Sequence, residues 1–309
     1  TPNLDKLAAE GVKFENAFSP QPVCGPCRAL FQTGRYPTET GCFRNNIMLP
    51  KGLKTLGEYM EQDAGYETAY IGKWHLASDG ELEQKPTIDY TITAIPQELR
   101  GGYTGFWRTA DVLEFTSHGY DGYVFDENNN RIDFKGYRAD CINDFALEYL
   151  DQYTGEKPFF MTISQIEPHH QNDRNHYEGP EGSKEKYANF VLPEDLKALG
   201  GNAAEEYPDY LGQCASLDEN LGKLVAKLKE KGELEFEIVN GMITSINGIE
   251  NPADYSSCWM LYTSDEELSN SAWGIVEYEG KEYGSAISGA ETLPIKADRL
   301  YIWVFKSFS

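Results

Sequence analysis

The sequence predicts an α/β protein: a mainly parallel sheet flanked by helices, followed by a small all-β segment. Two observations carry this. Up to about residue 232, helical stretches alternate with short apolar strands, the pattern of crossover-connected parallel strands. After Gly232 the helical periodicity stops and short strands take over. The expected domains are therefore residues 1–232 and 233–309. A length of 309 residues suits one large or two unequal domains. A hydrophobic content of 40% with 13% aromatics is enough for a buried core and argues against disorder.

Each element has a local cause. Thr1-Pro2-Asn3-Leu4-Asp5 reads as a helix start, with Gly11 as its stop and Leu4, Leu7 and Ala8 on one face. Val12 to Phe18 alternates like a strand. Residues 19–27 hold three prolines and a glycine and read as a rigid loop, with a helix from Arg28 to Thr33 closed by Gly34. Leu53 to Gln62 reads as a helix and Glu67 to Gly72 as a strand. Residues 100–136, rich in Gly, Asn, Asp and aromatics, read as a long loop or hairpin whose Trp and Tyr residues pack in the core. Asp140 to Tyr153 is helical, and Pro158 to Ser164 is a buried strand. Residues 165–207 are polar and loop-rich. Tyr207 to Lys231 is the longest amphipathic helix, with Leu217, Leu221, Leu224, Val225 and Leu228 as its core face. The tail shows strands at Ser257–Tyr262, Trp273–Tyr278, Lys281–Ile287 and Arg299–Phe305, with Glu279-Gly280 as a hairpin turn.

Charge and cysteine usage narrow the function. A formal net charge of −23 repels nucleic acid and anionic membranes, so neither is an expected partner. No apolar run reaches the roughly 18 residues of a membrane span. An anionic substrate would need a local cationic pocket, because the global field does not steer it inward. The six cysteines are scattered, and Cys24-x-x-Cys27 lacks the second pair that a zinc site needs. A disulfide scaffold is normally shorter and denser, so a reducing, cytoplasmic compartment is weakly favoured. The chain starts without Met, inside a capped helix, so upstream residues are expected and a signal peptide is not excluded.

The residues that carry chemistry form an ordered series. Cys24-Gly25-Pro26-Cys27-Arg28 is followed by Thr33-Gly34-Arg35. A cysteine where a rigid loop enters a helix meets backbone N–H groups and the positive end of the helix dipole, which favour anions. Arg28, one turn inward, can orient a nucleophile and neutralise charge. Lys73 and His75, two residues apart after a strand, leave one face of an extended segment and can share a pocket. A lysine suits an anionic oxygen as a point charge, and a histidine suits proton transfer at neutral pH. Cys27 is read as structural, and His118 and His176 as ordinary loop histidines.

These motifs resemble the sulfatase family. Its signature is C-x-P-x-R with a Thr-Gly pair a few residues on. Thr1-Pro2-Asn3-Leu4-Asp5 and Glu10-Gly11-Val12-Lys13-Phe14 match its upstream stretch. Ile71-Gly72-Lys73-Trp74-His75-Leu76 matches its G-K-W-H-L block, and Glu167-Pro168-His169-His170 its Pro-His element. Tyr210-Leu211 and Ser216-Leu217-Asp218 to Leu221 match its long helix. The resemblance spans about residues 1–232 and implies an alkaline-phosphatase-like fold, truncated at its N-terminus.

The resemblance also implies a chemistry, hydrolysis of a sulfate ester. A dedicated maturation enzyme, an implied partner, oxidises Cys24 to formylglycine, which is hydrated to a geminal diol. Activated by a divalent cation, most simply Ca2+ bound at residue 24, one hydroxyl attacks sulfur. Lys73 or His169 protonates the leaving alcohol, and His75 deprotonates the second hydroxyl so that sulfate is expelled. The implied substrate is a sulfated small molecule or glycan. The alternatives are a phosphonate monoester or phosphodiester hydrolase of the same superfamily, or a non-catalytic fragment whose β segment binds a partner.

Two departures matter. The family's paired Asp residues upstream of T-P-N-x-D are absent, and Glu233-Leu234-Glu235-Phe236-Glu237 stands where a second metal motif is expected. Tyr262-Thr263-Ser264-Asp265 is only a partial look-alike, with Asp265 a weak ligand. The expectation is an incomplete metal site, weak turnover, and a sheet edge left unpaired.

Overall fold

A computed structural model describes residues 1–78, 88–232, 236–239, 242–246, 249–250, 257–264, 266–278, 280–286 and 301–307. Asp265 and Glu279 lie outside the described residues. The chain divides into two compact units, Thr1–Asp5 with Phe14–Leu224 and Lys6–Lys13 with Val225–Ser309.

The first unit is built on a five-stranded sheet in the order β4-β3-β2-β1-β5, with β1 Glu67–Lys73, β2 Phe106–Ala110, β3 Asp121–Phe125, β4 Arg131–Lys135 and β5 Phe159–Ser164. Strands β2, β1 and β5 run parallel, in register Ala69↔Phe106 and Glu67↔Phe159. β3 and β4 add an antiparallel edge, so the sheet is mixed. Three of these strands fall within 100–136, a segment whose glycines and asparagines mask its strands in sequence. Among the described residues β5 has β1 as its one neighbour, and β5 is half-buried along its whole length.

Alternation along β1 feeds two cores. Tyr70 joins Trp74, Tyr103 and Trp107 on one face, in edge-on contacts such as Tyr70–Trp74 at 5.0 Å. Ile71 joins Ala110, Leu113, Val124 and Ile142 on the other. The Tyr103 and Trp107 rings are core residues, as the sequence predicts. At Gly72, φ is 102° and a Cβ would lie 2.1 Å from the Ser164 carbonyl oxygen, so only glycine lets β1 and β5 close together there.

Four longer helices lie wholly or partly in this unit: α1 Pro2–Glu10, α2 Cys24–Thr33, α3 Arg138–Gln152 and α4 Ala203–Glu230. Helix α2 starts at Cys24 itself rather than at Arg28. Pro26 is accommodated because the first turn needs no N–H donor from it. Val12–Phe18 forms no strand. No described strand lies beside it to satisfy its backbone, and Val12, Phe14 and Phe18 stand exposed. Leu53–Gln62 resolves into a single turn, Leu56–Glu58, and a π-helical turn, Tyr59–Asp63.

Helix α4 corrects a second expectation. Its fully buried face is polar, with Asp209, Gln213, Ser216, Asp218 and Asn220, while Leu217, Leu221, Leu224, Val225 and Leu228 are half-buried. These polar groups are tertiary anchors. The Asp218 carboxylate accepts the backbone N–H groups of Asn3 and Leu4, at 3.1 and 2.8 Å, and so caps α1 from a distant helix. Ser216 and Asn220 donate to Asp140 on α3.

The second unit contains β6 Phe236–Val239, β7 Met242–Ile246 and β8 Ile249–Glu250 as one antiparallel sheet. A second sheet has the order β10-β11-β9-β12, from β9 Ser257–Thr263, β10 Ser269–Tyr278, β11 Lys281–Ala286 and β12 Tyr301–Ser307. No described helix is long and apolar enough to cross a membrane.

The Asp218 cap gives a test. Burial opposes ionisation of its carboxyl, but the Leu4 and Asn3 N–H groups outweigh it and hold the group below its usual range. Asp218→Ala should cost about 1–3 kcal/mol in chemical denaturation at neutral pH. The deficit should persist down to about pH 4 and fade below it, as the wild-type carboxyl protonates.

Candidate functional site

The C-terminal ends of parallel strands are where α/β sheets place ligands. Lys73 ends β1, Asp111 directly follows β2, and Ser164 ends β5, with His169 five residues beyond it. Helix α2 delivers Cys24 to the same place. Arg28 makes the join: one Nη1 donates to the Lys73 carbonyl at 2.7 Å and to Ser164 Oγ at 2.5 Å. The described contacts of Arg28 thus go to the strand ends, and it acts here as a positioning residue.

Cys24 is half-buried, at the first position of α2. Asn45 fixes the turn by accepting the Gly25 N–H at 2.8 Å. His169 and His75 both act on the thiol as hydrogen-bonding partners, with Lys73 as a nearby charge. Against the opposing effect of burial they lower its pKa to about 5. The same contact with Cys24 raises the pKa of His169. His169 Nδ1 donates to the His170 carbonyl at 2.5 Å when that nitrogen carries the proton, which sets Nε2 as the other working atom.

Lys73 and His75 do not share a strand face by simple alternation. β1 ends at Lys73, and His75 has φ 56°, in the left-handed region, just before a bend at Leu76 and Ala77. Asp111, fully buried, holds that turn: its carboxylate accepts the N–H groups of Leu76, Ala77 and Ser78 at 2.9–3.0 Å, and also the Ser78 hydroxyl. His75 N–H donates to the Asp111 carbonyl at 2.8 Å. His75 Nε2 lies 3.4 Å from Asn46 Oδ1, and its Nδ1 is buried without a hydrogen bond of ordinary geometry.

Lys73 is 1% exposed and paired with Glu114 at 2.5 Å. Burial opposes the charge on Glu114, but Lys73 outweighs it and keeps the carboxyl below its usual range. The loop bearing His169 has its own buried ion pair: Arg138 on α3 donates to Glu167 at 2.8 Å and to Gln171 at 3.1 Å. From α4, Gln213 donates to the His169 carbonyl at 3.4 Å.

The structure therefore brings Cys24, Lys73, His75 and His169 together, with Arg28 behind them. Sequence reasoning missed Glu114, Asp111, Arg138 and Asn45. Asp111 stands directly after a strand, but that strand was hidden in a segment read as loop. Of the two histidines read as loop residues, His118 pairs with Asp173 at 2.8 Å and His176 lies 3.9 Å from Glu178; Cys27, read as structural, is half-buried on α2.

A divalent cation fits these residues poorly. Among the described residues no group of three or more His, Cys, Asp or Glu side chains could hold a metal. A hard cation such as Ca2+ takes six to eight oxygens. Around Cys24 stand imidazoles, a lysine and amides, and the carboxylate acting on His169, Glu114, is already neutralised by Lys73.

Two measurements follow. Alkylation of unmodified Cys24 by iodoacetamide should reach its plateau above about pH 6, with a midpoint near pH 5 that His169→Ala moves toward the ordinary thiol value of about 8.5. Calorimetric titration of this chain with Ca2+ should show no binding in the micromolar range or tighter.

The chain can be set beside known proteins. The family model described as Sulfatase matches residues 1–239. An ulvan-active sulfatase of Formosa agariphila is 33% identical over 250 residues, covering 77% of this chain and 44% of that protein. The uncharacterized sulfatase YidJ of Escherichia coli is 29% identical over 294 residues, covering 86% of this chain and 52% of that protein. The chain thus spans about half the length of the curated relatives it matches. A structure from work on glycosaminoglycan metabolism by Bacteroides thetaiotaomicron matches with TM-score 0.63 and 23% identity, over 75% of this chain and 51% of that one. A structure solved with its substrate, D-glucosamine-2-N,6-O-disulfate, matches with TM-score 0.54 and 23% identity, over 75% of this chain and 58% of that one. These likenesses support the alkaline-phosphatase-like α/β fold. With its motifs in order and the family model covering most of its length, this chain belongs to the sulfatase family.

Proposed function

We propose that the chain carries the reacting half of a sulfate ester hydrolase, with formylglycine derived from Cys24 as its nucleophile and a sulfated glycan as its substrate. One observation carries the reading. In a protein of net charge −23, Lys73, His75 and His169 converge on one half-buried side chain at a helix N-terminus. A sulfate ester is a monoanion, and this is an anion-receptive pocket within an acidic surface.

The residues divide the work. The hydrated aldehyde at position 24 presents two hydroxyls. One attacks sulfur and gives up its proton to solvent water, the S–O bond to the alcohol breaks, and the alcohol oxygen takes a proton from His169. The anionic ester replaces the Cys24 thiolate as the negative partner that keeps His169 protonated. Lys73, paired with Glu114, neutralises the sulfuryl oxygens. His75 removes the proton of the second hydroxyl. The C–O bond to the sulfate then breaks, sulfate departs, and the C=O of the aldehyde is restored. Arg28 and Asp111 hold the strand ends that carry Lys73 and His75.

The glycan assignment draws on relatives that act on ulvan or were solved with a disulfated glucosamine. The chain produced with a formylglycine-generating enzyme should show, in the Cys24 peptide, the mass loss of thiol-to-aldehyde conversion. It should hydrolyse 4-methylumbelliferyl sulfate. Cys24→Ala should lower the rate at least about 10³-fold, and His169→Ala chiefly the release of poor leaving groups. Turnover that survives Cys24→Ala would sink the reading.

A further inference from the structure

His169 and its neighbour His170 turn to different places. While His169 acts on Cys24, the His170 ring borders a cleft of about 530 Å³, within the roughly 300–1,000 Å³ range of small-molecule sites. Its walls include Tyr177, Tyr207 and Tyr210, with Asp195 and Glu206 beside them. The rings form a connected set. Tyr207 and Tyr210 stack at 5.5 Å and 24°, Tyr177 meets Tyr210 edge-on at 5.8 Å, and His170 meets Tyr177 edge-on at 5.3 Å. Glu206 accepts the Tyr177 N–H at 2.7 Å, which fixes the loop to α4.

We infer that this cleft is a glycan subsite, which takes an unsulfated pyranose ring of the substrate next to the sugar desulfated at residue 24. The parts of these tyrosine rings that line the cleft offer apolar surface to the C–H groups of a sugar, and Tyr207, backed by Phe190 at 5.4 Å and Tyr210 at 5.5 Å, is held rigid, which lowers the entropic penalty of binding. Carboxylates beside them accept hydrogen bonds from ring hydroxyls and repel a second sulfate. Those carboxylates also disfavour a purely apolar aromatic aglycone. The cleft and the reacting pocket are one residue apart along the chain. They are tied again by α4, which supplies Tyr210 to the cleft and, one turn on, Gln213 to the His169 carbonyl.

The position relative to the cleaved bond rests on the hydrolase reading, but the binding does not, so the test needs no turnover. The full chain is titrated with agarotetraose, cellotetraose and chitotetraose and followed by saturation-transfer NMR and calorimetry. At least one should bind with a millimolar or tighter Kd. Tyr207→Ala and Tyr210→Ala should each weaken it by about tenfold, Tyr207→Phe should keep it, and Cys24→Ser should leave it unchanged. Unfolding of the alanine variants is checked by circular dichroism, and Tyr207→Phe against Glu206→Gln, which removes an acceptor and keeps every ring, then decides. Glu206→Gln should weaken binding several-fold. The inference is overturned if no neutral tetrasaccharide binds, if affinity ignores these substitutions, or if 4-nitrophenol competes for the tyrosines where the sugars do not. Intact sugar binding without sulfate turnover would leave this subsite standing and sink the hydrolase reading alone.

Discussion

The whole site hangs on one cation that bridges two strand ends. The Arg28 guanidinium ties the carbonyl of the last β1 residue to the hydroxyl of the last β5 residue, and its backbone belongs to the helix that begins at Cys24. A helix N-terminus and two strand ends are thereby held within one side chain's reach. The geometry depends equally on an absence of bulk. Any side chain at Gly72 would drive into the Ser164 carbonyl and separate the strands that Arg28 bridges. Charge and close approach are two parts of one constraint, and Lys73 and His75 inherit their positions from it.

Around that tie, the protein uses buried ion pairs to aim groups rather than to stabilise the fold. A buried pair gains little net stability, because desolvation offsets most of its attraction. Lys73–Glu114 and Arg138–Glu167 are both buried and sit on segments that bear side chains converging on Cys24. The first sets the Lys73 ammonium against Glu114 at the end of β1. The second ties the His169 loop to α3. Such placement is expected where orientation matters more than stability.

Legibility in sequence followed how local the cause was. The start of α1, the Gly34 stop of α2 and the strand at 67–72 follow from caps, glycine and β-branched residues, all read within a few positions. Cys24, Lys73, His75 and His169 were legible as motifs, but their meeting point was not, because Arg28 to Ser164 spans 136 positions. Glu114 and Asp111 had no local signature at all, since their roles exist only once β1 and β2 lie side by side. The Val12–Phe18 alternation failed for the opposite reason. The local pattern is real, but a strand needs a neighbour, and none of the described strands provides one.

Helix α4 shows why hydrophobic periodicity misled. The leucine stripe is genuine but only half-buried, while the deepest positions are Asp, Gln, Ser and Asn. A purely apolar face would slide or rotate at small penalty, since dispersion contacts are not directional. A face of hydrogen bonds to Asn3 and Leu4, to Asp140, and to the His169 carbonyl sets one rotation and one register. A helix so indexed can hold His169 with Gln213 and line the neighbouring cleft with Tyr207 and Tyr210. A shift of one side must then be felt by the other, because both hang on the same few polar contacts.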